Sequence, residues 1–237
     1  MLSKKITFFL LLNLFILNVY AKDPNQGLLI TAMGLPCSGK STICRELSQK
    51  LNVPVFLEVE EKQWEKAVFT RKDSGDFTMI SWFRSMRVPE LYQADNVRQR
   101  GGVAIVDSYY DKLLHLYLGH TCMEWLIKKE DPYFDVLKQL AQLDYNLLPD
   151  ADVIIFFELT EATWKKFLQK RNRQLDNDED LKKSFALQAV LLKAAQQYAK
   201  QKGKQLIHFQ QDFSSVKEAT EKLIKQLKQQ GSLFFGK

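Results

Sequence analysis

Short apolar runs alternate with segments of helical period along this chain. The run GLLITAM (27–33) is apolar at almost every position and predicts a buried strand, and STICRELSQKL (41–51) follows with Ile43, Leu47 and Leu51 at helical spacing. VPVFLEV (53–59) predicts a second strand that ends in acids. A long helical pattern covers 76–100 and stops at Gly101-Gly102, a natural helix end. VAIVD (103–107) is the third strand, apolar until its last residue, and helices are expected to fill 109–147. ADVIIFFEL (151–159), a helix over 161–172, a helix over 179–202, the strand KQLIHF (204–209) and a closing helix over 215–230 complete the pattern.

Strands that are apolar on both faces and alternate with helices predict an α/β fold whose parallel sheet is covered on two sides. In such sheets ligands gather at the carboxyl ends of the strands. Chemistry is therefore expected just after residues 33, 59, 107, 159 and 209.

Composition narrows the picture. The chain has 237 residues, 46% of them hydrophobic, with no repeat and no Pro/Gly/Ser-rich linker, which suits one domain over 22–237. Its formal net charge is +6, but Lys4 and Lys5 sit in a leader without acids, so the remainder carries +4 spread thinly. No nucleic-acid partner is expected from so weak a basic footprint. Cys37, Cys44 and Cys122 make neither a disulfide framework nor a zinc spacing. The first 21 residues read differently: MLSKK is basic, ITFFLLLNLFIL is apolar, and VYA offers small residues at a cleavage site. This predicts an export signal, with an uncleaved anchor as the alternative, and restricts any membrane contact to the N-terminal segment.

GLPCSGKS (34–41) matches G-x-x-x-x-G-K-[ST] between a predicted strand and a predicted helix. Gly34 and Gly39 let backbone N–H groups converge on an anion, and the helix beginning at Ser41 adds the positive end of its dipole. Lys40 reaches the β- and γ-phosphates, and the Ser41 hydroxyl is placed to ligate magnesium. Gly34, Leu35, Pro36, Cys37, Ser38, Gly39, Lys40, Ser41 and Thr42 are the expected ATP-binding stretch.

Whether phosphoryl goes to water or to an acceptor depends on the rest of the chain. Glu58, Glu60 and Glu61 close the second strand, and Glu58, first after the apolar residues, is the favoured proton acceptor. Asp107 is the only charge on its strand, so it needs a cation or donor nearby; magnesium and Lys40 both qualify, and a helix cap is the structural alternative. Lys170, Arg171 and Arg173 end one helix ahead of the polar stretch LDNDEDLKK, a composition suited to a mobile lid that closes and absorbs developing charge.

The segment FRSMRVPELYQADNVRQRGGVAIVDSYYD (83–111) resembles the thymidylate kinase and deoxynucleoside kinase group of P-loop kinases. Phe83, Arg87, Arg100, Gly101 and Asp107 match that group's F-x-x-x-R helix, R-G turn and strand-end acid, with Tyr109, Tyr110 and Asp111 following. SGKST, Glu58 and a nearby Trp64, offset by one position, resemble the deoxynucleoside kinases more closely, and KRNR resembles the lid. The resemblance implies a three-layer P-loop kinase fold with a five-stranded parallel sheet and a mobile lid. It also implies ATP, magnesium and γ-phosphoryl transfer to a nucleoside, a nucleoside monophosphate or a similar small acceptor. By it, Phe83 stacks on the acceptor base, Arg87 hydrogen-bonds it, and Arg84 stands where a base-reading glutamine is common. Pairing of the 109–147 helices into a homodimer is implied in the same way.

One departure bears on activity. The arginine expected directly after the acid is Ser108, and Arg84 and Lys112 are the candidates to replace its charge. Two alternatives to a small-molecule kinase stand: a nucleotide-binding protein that has lost transfer, which Ser108 motivates, and an exported host-directed effector kinase acting on another acceptor, which the export signal favours.

Overall fold

The computed structural model describes residues 27–64, 71–171, 184–212 and 214–231. The expected leader (1–21) and most of the expected lid, Arg173 included, lie outside the described residues. Among the described residues no helix is long and apolar enough to cross a membrane.

Five strands form one sheet: β1 (Leu28–Gly34), β2 (Val55–Phe56), β3 (Val103–Val106), β4 (Val153–Glu158) and β5 (Gln205–Gln210). Their order is β2-β3-β1-β4-β5 and every pairing is parallel. The helices of eight or more residues among the described residues are α1 (Lys40–Leu51), α2 (Asp76–Gln99), α3 (Tyr110–Tyr117), α4 (Phe134–Leu147), α5 (Glu161–Arg171), α6 (Leu187–Lys202) and α7 (Val216–Gln229).

The two-residue period of β1 sorts its side chains into two cores. Leu29 and Met33 join Val106, Ile154 and Phe156 under α2, α3, α4 and α6, where Leu91, Leu113, Leu137 and Leu191 meet them. Ile30 and Ala32 face the other way with Ile105, Ile155 and Phe157, covered by Ile43 and Leu47 of α1 and Leu223 and Leu227 of α7. Each fully buried leucine or isoleucine contributes about 1.5–3 kcal/mol, so the sheet is held from both sides. The α7 start is fixed by a capping box: the Glu218 N–H donates to Ser215 Oγ and the Ser215 N–H donates back to Glu218 Oε2. The stop of α2 is set by Gly101, whose positive φ of 83° lets its N–H turn back to the Arg98 carbonyl.

Two expectations are corrected. The strand over 53–59 pairs only at Val55–Phe56. Pro54 has no N–H to give, Val53 N–H is spent on Ser48 O of α1, and Glu58 N–H leaves the ladder for the Asp107 carboxylate. The helical stretch over 109–147 is broken across 118–133: Leu118 turns extended and Gly119 takes a φ of 81°, leaving a 3₁₀ turn at Thr121–Met123 before α4 begins. On α4, Val136, Leu143 and Leu147 are exposed.

Candidate functional site

The site forms where β1 ends. Gly34 closes the strand with its Cα against the neighbouring β4; a Cβ there would lie 2.7 Å from Phe157 O. Gly39, at φ 81°, then turns the chain into α1. No side chain caps that helix and its first turn holds no acid, so its leading N–H groups point into the loop as donors for an anion. Lys40 is buried, and its Nζ lies 2.9 Å from Leu35 O and 3.5 Å from Gly34 O. Burial pulls its pKa down, but Tyr110, Glu58 and Asp107 outweigh that and hold it above the ordinary lysine value. Lys40 is therefore a fixed cation at the base of the loop.

A cavity of about 1310 Å³ opens over this loop. Pro36, Cys37, Ser38, Gly39, Lys40, Ser41 and Thr42 line it, while Gly34 and Leu35 lie behind the wall. Lys170 and Arg171, at the end of α5, line it as well. Glu58, Phe83 and Arg87 also line it. The elements named from sequence as donor, acceptor and lid contributors thus surround one space.

Asp107 is fully buried just beneath that wall, at the carboxyl end of β3. Its Oδ1 accepts the Glu58 N–H at 2.8 Å, and its Oδ2 has no hydrogen-bond partner among the described residues. Burial, then the neighbouring Glu58, pushes its pKa up to about 6, against the pull of the Ser41 hydroxyl, the Glu58 amide and Lys40. An orphaned buried carboxylate oxygen near the Ser41 hydroxyl fits magnesium, which takes few protein ligands and completes its shell with water and phosphate. No cluster of three or more His, Cys, Asp or Glu side chains that could hold a metal ion occurs among the described residues.

The raised pKa has a stability consequence. The native state holds this proton more tightly than the unfolded chain, so the favourable contribution is complete below about pH 4 and is lost as pH rises through about 6. Asp107→Asn keeps an acceptor for the Glu58 amide and removes the charge. It should therefore be more stable than the parent by on the order of 2 kcal/mol at pH 8 and by little at pH 4, read from melting temperature against pH.

Glu58 is held from two sides, by its backbone on Asp107 and by its carboxylate 3.3 Å from Arg87 Nη1. Arg87 also donates to both Asp111 oxygens, at 2.7 and 3.0 Å. Its guanidinium carbon lies 5.6 Å from the Phe83 ring centroid, and Phe83 meets Trp64 and Trp82 edge-on at 5.2 and 5.0 Å. Glu60 reaches the cavity too but is exposed, within 3.6 Å of Arg45 and 3.1 Å of Lys62. Glu58 is thus the better placed of the two.

Arg84 is not where the resemblance put it. It lies outside the cavity wall, bonded through Nε and Nη2 to both oxygens of the buried Asp144 on α4. One helical position from Phe83 turns the side chain toward the α3–α4 pair instead. Arg84→Ala should leave acceptor KM within twofold while costing about 2–3 kcal/mol in denaturant unfolding. That figure is reduced from the usual loss for a broken buried pair because the guanidinium is 28% exposed. Lys112 is equally remote, buried against Leu148 O at 2.5 Å and Asp150 at 2.8 Å. Ser108 is buried off the wall, its hydroxyl without a partner among the described residues.

Three residues near the site had no assigned role. Tyr110 and Asp111 open α3 just past β3 and line the cavity; their place after a strand end was the available signal. Glu90, one turn beyond Arg87 on α2, has its pKa raised to about 7 by burial, then by Asp107 and Glu58. No local spacing marks it, because its neighbours come from other strands.

No known protein-family model matches the chain, and no curated protein matches it by sequence. Its architecture does match solved structures. Deoxyadenosine kinase from M. mycoides with bound dATP superposes at a TM-score of 0.59 and 20% identity, covering 85% of this chain and 100% of that one. The same enzyme with dCMP and dCDP gives 0.58, 20%, 85% and 100%. Thymidylate kinase from Candida albicans gives 0.56 at 19% identity, covering 87% and 93%. The chain has the P-loop nucleoside kinase fold.

Proposed function

We propose that this chain is an ATP-dependent phosphotransferase whose acceptor is an uncharged nucleoside or a similar small hydroxyl compound. The observation that carries this reading is that Lys40 of the phosphate loop, the strand-end Glu58, Phe83 and Arg87 line one cavity. The deoxynucleotide ligands of the structurally similar kinases support it.

The loop amides and Lys40 hold the triphosphate. Ser41 and Asp107 would hold magnesium, which when bound neutralises phosphate charge. Glu58 takes the proton of the attacking hydroxyl, and Phe83 supplies a ring face for the acceptor. Arg171, which lines the cavity, brings positive charge to the transferring group, a role that the sequence also suggests for Arg173.

The acceptor's charge class follows from the far wall. Arg87 is already shared between Asp111 and Glu58, both of which line the cavity. A dianionic monophosphate would have to compete with these two carboxylates for Arg87; a neutral nucleoside would not. Incubation of the leaderless chain with magnesium, ATP and a panel of nucleosides and monophosphates tests both levels. ADP and a phosphorylated nucleoside are expected, with kcat/KM at least tenfold above that of any monophosphate. ATP binding without transfer to any acceptor rejects the kinase reading in favour of a non-transferring nucleotide-binding protein, the alternative that Ser108 favours. Residues 1–21 are further proposed as an export leader. Lys22 at the mature N-terminus is the expected result, and Met1 on the mature protein would reject it.

A further inference from the structure

Neither Ser108, Arg84 nor Lys112 ties the phosphate loop to the acceptor wall. Ser108 is turned into the packed interior, Arg84 is held by Asp144, and Lys112 by Asp150. Tyr110 is the side chain that stands between the two halves. Its hydroxyl donates to Gly34 O at 2.5 Å, on the first glycine of the loop. Its ring centroid lies 5.4 Å from Lys40 Nζ and 5.9 Å from the Arg87 guanidinium carbon. Its own carbonyl accepts from the buried Tyr117 hydroxyl at 3.0 Å, which fixes the start of α3.

We infer that Tyr110 is a positioning residue that sets the phosphate loop in register with the acceptor wall. The inference rests on the kinase reading above. Two contacts argue for it over a plain packing role. The hydroxyl is spent on the loop's pivot and not on solvent, and the ring touches one cation from each half of the site. Burial is the main reason the phenol's pKa is raised, so the group remains a donor across the working pH range. Because a misplacement of about 1 Å between reacting groups costs on the order of a hundredfold in rate, loss of this tie should appear in turnover rather than in affinity.

Tyr110→Phe removes only the hydroxyl. Expected are a kcat lowered 30- to 100-fold, a calorimetric Kd for MgATP within threefold of the parent, and a displaced γ-phosphate ³¹P resonance of bound MgATP with the α resonance unmoved. Ser108→Ala, the control, should leave kcat unchanged. A kcat within threefold of the parent overturns the inference, and so does a kcat loss matched by an equal loss of MgATP affinity, which marks a merely structural role. If the parent binds MgATP but transfers to no acceptor, the kinase reading fails and the ³¹P comparison still decides: coincident γ resonances overturn the loop-setting role and a displaced one sustains it. Absence of MgATP binding by the parent overturns both.

Discussion

Lys40→Ala is expected to abolish detectable MgATP binding in calorimetry and to lower turnover by on the order of 10³-fold or more. The magnitude follows from where the charge sits. Lys40 is 5% exposed and held above its ordinary pKa despite burial, so its cation is permanent and poorly screened by water. Removing it leaves the loop amides to face three or four phosphate charges alone. It also strips Asp107 and Glu58 of the nearby cation that offsets their repulsion, so the vacated site becomes net negative where an anion must bind. A variant that melts near the parent temperature yet gives no heat with MgATP is the predicted result. Retained binding within tenfold would remove the basis for the whole reading.

Glu58→Gln is expected to lower kcat by roughly 10²–10⁴-fold with KM for ATP within about threefold. Glutamine preserves the shape and the backbone bond to Asp107, and Arg87 keeps its two bonds to Asp111. What disappears is the ability to accept a proton. In the parent, kcat/KM should also decline as pH falls below about 6, because Asp107 takes up its proton there and its charge is lost from the magnesium side of the site. An unchanged kcat for Glu58→Gln would exclude it as the base and shift attention to Glu60, which reaches the same cavity from solvent.

How legible this molecule was from its residues depended on the range of each interaction. The phosphate loop was readable because every part of it lies within eight consecutive positions and its glycines answer local backbone demands. The strands β1, β3 and β4 are readable because burial on both faces writes itself as an unbroken apolar run, whereas β5, at the sheet edge, alternates buried Ile207 and Phe209 with exposed His208 and Gln210. β2 was overread: VPVFLEV has the composition of a long strand, yet Pro54 and the diversion of Glu58 N–H to Asp107 end its ladder after two residues. Arg84 was misplaced because adjacency to Phe83 in sequence says nothing of Asp144, sixty residues away, which takes its guanidinium. Tyr110, Asp111 and Glu90 carry no local signal for the same reason: Tyr110 meets Gly34, Lys40 and Arg87, Asp111 meets Arg87, and Glu90 is shifted by Asp107 and Glu58, all distant in the chain.

The early end of β2 has one more effect. Past Phe56 the chain is no longer gripped by the sheet, and the peptide that carries Glu58 hangs on a carboxylate of the adjoining strand. The two acids therefore behave as a single lever: whatever reorients Asp107 swings Glu58 with it. Changes at the pair will not sum, and a thermodynamic cycle over both positions should return a large coupling energy where two independent groups would return none.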